Sequence, residues 1–220
     1  MQKYVCVIRY LAEKGLSVKS LLERLVLEKA PGPTPSFTVF DIMKAFEVIA
    51  EAGFLGRGAL SMRLGLGEGA TRTLVARLTE AGLVSTSKSG CSLTEKGEQT
   101  WTSIKAPMPR RASLEKNELT FAPCNVAVLV KGRGGKVKKG LEQRDAAVRA
   151  GAAGATTLVF RDKKLILPTV SLDLAKDYPK AFHQITRILS PEEDDVVIIA
   201  GADKPKEAEY GALAAAWTII

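Results

Sequence analysis

The sequence predicts an α+β protein, with a helical N-terminal domain followed by a small domain in which strands and helices alternate. Apolar residues recur at helical spacing before residue 105, whereas β-rich apolar runs alternate with helical segments from about residue 119. The stretch KAPMPRRAS between them has two prolines, three basic residues and no hydrophobic period, which is typical of a linker. We therefore expect domains at residues 1–104 and 119–220, joined by a linker at 105–118.

Composition excludes several classes of protein. Of the 220 residues, 46% are apolar, which is enough to build cores and excludes global disorder. No apolar run reaches the roughly 18 residues that a membrane-spanning helix needs, and the N-terminus lacks a small-residue cleavage site, so we expect a cytoplasmic protein. Three widely spaced cysteines and a single histidine provide no zinc-ligand set, and we expect neither a metal nor another cofactor.

The charge of the chain indicates an anionic partner. The net charge is +8, which favours nucleic acid as a ligand. In the C-terminal domain the charge is uneven: residues 131–149 hold seven basic and two acidic side chains, whereas residues 192–220 hold two basic and seven acidic ones. We therefore expect this domain to be electrostatically polarised.

The first part of the chain predicts helices ahead of the candidate binding motif. Residues 1–30 have apolar side chains at helical spacing and predict two helices. The segment APGPTPSF at 30–37 is not helical, because its three prolines lack amide donors and restrict the residues before them. A further helix begins at Thr38 and ends near residue 52, before Gly53.

Residues 58–93 carry the strongest functional signal. A short helix at 59–64 is followed by a glycine-rich turn, and a second helix spans 70–81. Its apolar stripe contains Leu74 and Leu78. The opposite side has only small or basic residues, namely Arg72, Thr73, Ala76 and Arg77. Small side chains let a helix approach the major groove of DNA, and arginines reach base edges or phosphates.

A short basic hairpin follows this helix. Strands are predicted at 83–86 and 91–93, with Lys88, Ser89 and Gly90 at the tip between them. A hairpin of this kind after a recognition helix has the form of a wing. Thr94 then caps a further helix.

The stretch TRTLVARLTEAGLV, the hairpin and LTEKG together resemble winged-helix transcription regulators of the MarR and Lrp/AsnC type, over residues 38–104. The wider pattern, which adds APGPTPSF, LGLGEG and the C-terminal LEQRDAAVRAGAAGATTL, resembles an archaeal family of predicted regulators whose C-terminal domain has no assigned function. This second resemblance covers most of the chain. The sequence departs from the pattern in having glycines on both sides of Glu68, a carboxylate that suits a helix N-terminus but repels phosphate.

The resemblance implies that the exposed face of the second helix contacts DNA and that Lys88 lies on the wing. With their basic and polar neighbours, the candidate DNA-contacting residues are Arg57, Arg63, Thr71, Arg72, Thr73, Arg77, Lys88 and Ser89. A single recognition helix buries too little surface for tight specific binding. We therefore expect a homodimer on double-stranded DNA, with half-sites about one helical turn, ~34 Å, apart.

From residue 119 onward the predicted order is βαββαβ with one further helix. Strands are predicted at 125–130, 156–160, 165–167 and 196–200, and helices at 139–150, 175–189 and 206–217. This is the order of the ferredoxin-like sandwich, an antiparallel sheet with helices on one face. A parallel, doubly wound sheet is the alternative, but the short turn at 161–164 favours a hairpin.

Two segments of this domain are candidates for binding a small anionic or polar effector. KGRGGKVKK at 131–139 is a basic, glycine-rich loop whose lysines and amides suit a phosphate or carboxylate, although it matches no nucleotide-binding motif. Residues 142–158 place two charges on an alanine-rich helix and two threonines after the next turn. The candidate ligand-binding residues are Lys131, Arg133, Gly135, Arg144, Asp145, Thr156 and Thr157.

Structural explanations of the same segments stay open. The basic loop is equally compatible with a solvated loop or an extra DNA contact, and the two helical charges with an exposed ion pair. The acidic run at 191–195 has carboxylates that would suit a divalent cation, but it is more typical of a solvated turn, and it could also complement the basic 131–149 surface of another subunit.

Three functions are compatible with these features. We expect a transcription regulator that binds DNA through the winged helix and senses a small ligand through the C-terminal domain. One alternative is an interaction module of the transcription or RNA machinery that has no effector. Another is an enzyme fused to a DNA-binding domain, acting on a phosphorylated small molecule at 131–139. No nucleophile motif surrounds His183, Cys91 or Cys124, so no catalytic residue and no enzymatic activity are predicted.

Overall fold

The computed structural model describes residues 17–27, 36–88 and 90–220. It has two compact units, Met1–Lys105 and Ala106–Ile220, each of which is described by itself. The first helix predicted within residues 1–30, the proline-rich segment up to residue 35, and Ser89 lie outside the described residues. No helix in the described ranges is both long enough and apolar enough to cross a membrane.

The N-terminal unit packs its helices around an aromatic pair, of which Phe46 is buried, and adds a two-stranded sheet. Phe46 is fully buried and stacks against Trp101, with ring centroids 6.4 Å apart. The described elements, in chain order, are α1 (Val18–Leu27), α2 (Val39–Ala52), α3 (Arg57–Leu64), α4 (Glu68–Glu80), β1 (Val84–Thr86), β2 (Cys91–Leu93) and α5 (Glu95–Lys105).

Local chemistry sets the starts of two of these helices, as the sequence predicts. α2 begins at a capping box, in which the Asp41 carboxylate accepts the Thr38 amide (2.8 Å) and the Thr38 hydroxyl accepts the Asp41 amide (3.4 Å). α5 begins at Thr94, whose hydroxyl accepts the amide of Gly97 at 3.0 Å.

The C-terminal unit is a five-stranded sheet covered by helices. The strand order is β3-β4-β7-β5-β6, and each neighbouring pair is antiparallel. The α+β class is thus confirmed, and the parallel alternative is excluded. The elements are β3 (Arg110–Ser113), β4 (Cys124–Val130), a 3-10 turn (Gly134–Lys136), α6 (Leu141–Arg149), β5 (Gly154–Arg161), β6 (Lys164–Ile166), α7 (Leu174–Asp177), α8 (Pro179–Leu189), β7 (Val196–Ala202) and α9 (Pro205–Trp217).

The predicted ferredoxin-like sandwich is wrong in two respects, of which the first is that helices cover both faces of the sheet. Ile199 of β7 packs in one apolar cluster with Ala181 and Ile185 of α8. The next residue, Ala200, points to the opposite face and meets α9 at Gly211. The unit therefore has three layers, with the sheet in the middle.

The central strands explain both this layering and the strand order. Every residue of β7 is buried, as are all but the first residue of β4. A strand that is apolar on both sides needs a helical layer on each face. β7 takes the position between β4 and β5, which the ferredoxin-like order would give to β6. The most apolar strand thus lies at the centre of the sheet.

The predicted linker at 105–118 is wrong at residues 110–113, which form β3. This strand pairs with β4 in the register Ala112↔Ala127 and forms one edge of the sheet. Its two arginines reach other parts of the unit, since Arg111 pairs with Glu209 at 3.0 Å and Arg110 donates to the Leu189 carbonyl at 3.0 Å. Charged residues are common on edge strands, where they discourage further pairing. The basic composition that suggested a linker therefore belongs to a sheet edge.

We predict that Gly211→Ala destabilises the C-terminal unit. An added Cβ would lie 2.5 Å from the Cβ of Ala152 and 3.4 Å from that of Ala200. Overpacking of this kind costs about 1–3 kcal/mol, which exceeds the gain of about 1 kcal/mol from replacing a helical glycine by alanine. Urea unfolding measures the net loss. Gly135→Ala is the matched control, because its Cβ would meet no atom within 4 Å, and equal effects of the two substitutions would contradict the packing argument.

Candidate nucleic-acid interface

α3 and α4 form a helix-turn-helix with a well-defined turn. α3 ends at Gly65, whose φ of 60° is the left-handed conformation that glycine adopts readily. The hydroxyl of Ser61 donates to the Leu66 carbonyl at 2.6 Å, and the Leu66 amide donates back to the Ser61 carbonyl. These reciprocal bonds fix the direction in which α4 leaves the turn.

α4 has a buried side and an exposed side. Leu74, Val75 and Leu78 are buried. Arg72 and Ala76 are exposed, and Thr73 is half-buried, with its hydroxyl donating to the Gly69 carbonyl at 3.1 Å. An arginine beside a small residue therefore lies on the open side of the helix, as the sequence predicts.

Two residues predicted to contact DNA are buried instead. Thr71 is fully buried, and its hydroxyl donates to the Gly67 carbonyl of the same helix at 3.1 Å. Arg77 is only 5% exposed. Both assignments are wrong, because the buried side of α4 is wider than the stripe of leucines and includes these positions.

Arg77 joins α4 to the end of α1. Its Nη1 donates to the carbonyls of Leu25 (2.6 Å) and Val26 (3.0 Å), and its guanidinium lies 5.4 Å from the ring centroid of Phe37. The last carbonyls of a helix carry partial negative charge and have no partners within the helix, so a cation satisfies them. Sequence spacing could not predict this role, because the carbonyls come from a segment about fifty residues away.

The wing is attached to the helical part by one β-bridge. The Cys91 amide donates to the Leu55 carbonyl at 2.8 Å, and the Leu55 amide donates to the Cys91 carbonyl at 2.9 Å. Gly90, with φ 152°, allows this approach, since a Cβ there would lie 2.5 Å from the Leu55 oxygen. Burial raises the pKa of the Cys91 thiol, which stays protonated and contacts the Leu55 carbonyl at 3.2 Å.

The bridge leaves a groove between the wing and the exposed side of α4. Arg57, at the start of α3, lines the groove together with Arg72 and Lys88. Glu68 lies in a neighbouring hollow with Arg57 and Arg72, where its charge offsets part of theirs. Arg63 is exposed but does not line the groove. The remaining lining residues are Gly56, Val75, Ala76, Thr79, Glu80, Thr86, Ser87 and Gly90.

Sequence reasoning missed Thr79, Thr86 and Ser87 as groove residues. Thr79 follows Arg72 by seven residues, and that spacing of two helical turns places it on the same side of α4. Thr86 and Ser87 are exposed at the end of β1. Small hydroxyl side chains are common donors to phosphate oxygens, so the groove has both charged and neutral donors.

In the C-terminal unit, the basic loop is already occupied by carboxylates of the same chain. Lys131 Nζ pairs with Glu192 (2.6 Å) and with Asp195 (2.9 Å), and these hydrogen bonds raise the pKa of Lys131. The Gly132 amide donates to Asp195 at 3.0 Å, and the Gly135 amide donates to Asp194 at 3.0 Å. The acidic run therefore takes the place that the sequence predicts for a bound anion.

The other predicted ligand residues do not converge on that loop. Arg144 pairs with its neighbour Asp145 at 2.9 Å on an exposed side of α6. Thr156 and Thr157 are consecutive in β5 and point to opposite faces of the sheet. Arg133 donates to the carbonyl of Gly132. The two helical charges thus pair with each other, as the ion-pair alternative expects, and the two threonines cannot both face one ligand.

Two family models match parts of the chain. Residues 40–108 match the CggR N-terminal DNA binding domain, and residues 121–219 match a domain of unknown function (DUF4443). No curated protein matches this chain. The first match covers α2 to α5 and therefore includes the whole groove. It confirms the predicted resemblance to winged-helix transcription regulators.

Among solved structures, a hypothetical protein from Pyrococcus horikoshii OT3 is 28% identical, with 84% of this chain and 93% of that chain covered and a TM-score of 0.66. A MarR family protein from Bacillus stearothermophilus is 26% identical, with 46% and 68% covered and a TM-score of 0.29. A MarR family transcriptional regulator from Streptomyces coelicolor is 16% identical, with 48% and 74% covered and a TM-score of 0.30. The first superposition supports the fold described above, and the other two are too distant to bear on it.

We predict that Arg77→Ala lowers the free energy of unfolding without removing a DNA contact. Hydrogen bonds from a charged donor contribute about 1.5–3 kcal/mol when buried. Since Arg77 makes two such bonds from one nitrogen, the expected loss in urea unfolding is at least about 2 kcal/mol. Arg72→Ala is the matched control and should change stability by less than about 0.5 kcal/mol, because Arg72 is exposed. A stable Arg77→Ala variant with weakened DNA binding would instead place this residue at the interface.

We predict that the contribution of Lys131 to stability disappears at high pH. The pKa of Lys131 is raised in the folded protein above its usual 10.5, so the stabilisation is complete below the unfolded-state pKa and is lost as pH rises through the folded value. Lys131→Met should therefore destabilise the protein at pH 7, by on the order of 1 kcal/mol after allowance for solvent screening. The difference from wild type should begin to shrink near pH 10.5 and should vanish only once the pH exceeds the raised pKa of the folded state. Lys138→Met, at an exposed position of the same loop, is the control, and a pH-independent difference would contradict the ion-pair argument.

Proposed function

We propose that this chain is a DNA-binding transcription regulator that inserts α4 into the major groove and rests its wing on the sugar–phosphate backbone. The observation that carries the proposal is the groove in which Arg57, Arg72 and Lys88 surround small side chains of α4. The groove falls entirely within the residues that match a DNA-binding family model. This agreement of geometry, charge and family favours DNA over a protein partner.

The proposed contacts divide into base-reading and phosphate-binding ones. Arg72 lies in the first half of α4, beside Ala76, so its guanidinium can reach the edge of a guanine while the helix approaches closely. Arg57 and Lys88 lie on the flanks of the groove and contact phosphates, which add affinity without sequence information. Thr73, Thr79 and Ser87 supply neutral donors nearby.

The proposed regulator acts as a homodimer. A single winged helix offers one short recognition helix, whereas specific protein–DNA interfaces bury roughly 1,000–2,500 Å² of protein surface. Two copies on half-sites about one turn apart would supply that area. The C-terminal unit has the role of a regulatory domain in this proposal, and an effector would act through different affinities for two dimer geometries.

We predict different effects of Arg72→Ala and Lys88→Ala on DNA binding. Selection from a random duplex library at roughly 150 mM salt, a condition at which nonspecific binding is already weak, should enrich a palindrome with wild-type protein. Arg72→Ala should lose preference at one position of each half-site, at a cost of about 1–3 kcal/mol. Lys88→Ala should weaken binding to all sequences and reduce the slope of log K against log[salt] by about one.

Lys105→Ala, at an exposed position of α5 outside the groove, is the control for loss of one positive charge. Equal effects of Arg72→Ala on selected and random DNA would remove the base-reading role. No enrichment with wild-type protein, together with binding that vanishes as salt rises, would favour the interaction module instead.

A further inference from the structure

The C-terminal unit has a second basic surface, which lies outside the segments that the sequence singles out. An open groove of about 600 Å³ lies between residues 115–117 and α8. We call it the α8 groove. Its lining consists of Glu115, Lys116, Asn117, Lys180, His183, Gln184, Thr186 and Arg187.

The α8 groove brings three cations to one surface. Lys116, Lys180 and Arg187 are exposed, and none forms an ion pair with a residue that the structure describes. Several other cations of the unit do pair with carboxylates of the chain, in the pairs Arg111–Glu209, Lys131–Asp195, Arg144–Asp145, Lys164–Asp173 and Lys204–Glu207. Unmatched like charges at close range repel one another, and a bound anion removes that cost.

One wall of the groove is held by the packing of α8. Lys180, His183 and Arg187 are spaced at three and four residues, so they share one side of the helix. Ala181, Ile185 and Leu189 are fully buried on the other side and join the core beneath the sheet. The basic side of α8 is therefore fixed towards solvent by the burial of its apolar side.

The other wall is held by hydrogen bonds of the 115–120 loop. The side-chain oxygen of Asn117 accepts a hydrogen bond from the backbone amide of Leu119 (2.8 Å). The backbone amide of Asn117 donates to the Thr120 hydroxyl (2.9 Å). The side-chain amides of Asn117 and Gln184 contact each other at 2.6 Å and join the two walls. Both walls are thus ordered before any ligand arrives, which reduces the entropy cost of binding.

Glu118 offsets part of the charge of this surface. Its carboxylate accepts the amides of Lys180 (3.1 Å) and Ala181 (2.8 Å) at the start of α8. These backbone hydrogen bonds, together with the charge of Lys180, lower the pKa of Glu118, although its carboxylate forms no ion pair with the lysine side chain. Among the lining residues Glu115 carries the sole negative charge, against three permanent cations.

We propose that the α8 groove binds a ligand that carries a phosphate group. Arg187 offers a planar fork that can bind two phosphate oxygens, and Lys116 and Lys180 add compact charges from both walls. The phosphate belongs either to a small metabolite or to the DNA backbone beyond the winged helix. The role of such a metabolite as an effector rests on the proposed function, whereas phosphate binding itself does not.

The test is a titration of the full chain with inorganic phosphate, at constant ionic strength maintained with chloride, followed by isothermal calorimetry. Wild type should bind phosphate, and K180Q/R187Q should bind at least roughly tenfold more weakly, because two charged donors are lost. K138Q/K139Q is the matched control: it removes the same charge from exposed positions in the basic loop and should bind as wild type does. Circular dichroism at the working temperature verifies that each variant is folded, and Lys116→Gln tests the other wall independently.

The salt dependence of DNA binding identifies the source of the phosphate, and the phosphate titration separates this proposal from the proposed function. If it is the DNA backbone, K180Q/R187Q should lower the salt slope of DNA binding by about two, whereas a small metabolite leaves that slope unchanged. Equal phosphate affinity in wild type and K180Q/R187Q, or no phosphate binding by wild type, would overturn the assignment of the groove. Either result would leave the effects of Arg72→Ala on DNA binding intact.

Discussion

The candidate DNA-binding surface depends on the β-bridge between Leu55 and Cys91. This bridge joins the chain just before α3 to the first residue of β2, so it fixes the wing relative to the helix-turn-helix. Its two backbone hydrogen bonds are 2.8 and 2.9 Å long and lie at buried residues, where an unpaired amide or carbonyl would be costly. Gly90 is needed at this point, because a side chain there would meet the Leu55 carbonyl.

The same bridge sets the charge pattern of the groove. Arg57 follows Leu55 by two residues, and Lys88 precedes Cys91 by three, so both cations lie close to the bridge in the chain. Arg72 lines the same groove from α4. The turn at Gly65 sets the direction of this helix, and Arg77 joins it to α1 by hydrogen bonds. Three separate segments thus bring positive charge to one concave surface. The small side chains of α4 in this surface would let the helix approach nucleic acid closely.

In the C-terminal unit, carboxylates of the same chain offset part of the basic charge. The acidic turn between α8 and β7 satisfies Lys131 and two amides of the 131–135 loop, so part of the polarisation evident in the sequence is offset within the chain. The cations of the α8 groove form no ion pair with the described residues. A basic motif in a sequence therefore locates positive side chains but not free positive charge, which depends on where the carboxylates of the fold lie.

Sequence reasoning succeeded where the determining interactions are local. The caps at Thr38 and Thr94 and the exposed position of Arg72 follow from spacing of a few residues along the chain. It failed where partners are distant: Arg77 is buried because α1 presents carbonyls to it, and residues 110–113 form a strand because β4 has a free edge. The burial of β7 on both faces could have been predicted, since its unbroken apolar run is typical of a strand covered on both faces.

The central claim is that α4 and the wing together form the DNA-binding surface. An amide NMR titration of the full chain with duplex DNA tests it most directly, because each backbone amide reports its own surroundings. The account predicts that the largest shift changes fall on residues 72–79 of α4 and 86–88 of the wing, with Arg57, and that the amides of α9 change little. Shift changes confined to the C-terminal unit, or spread evenly over all exposed lysines and arginines, would contradict it.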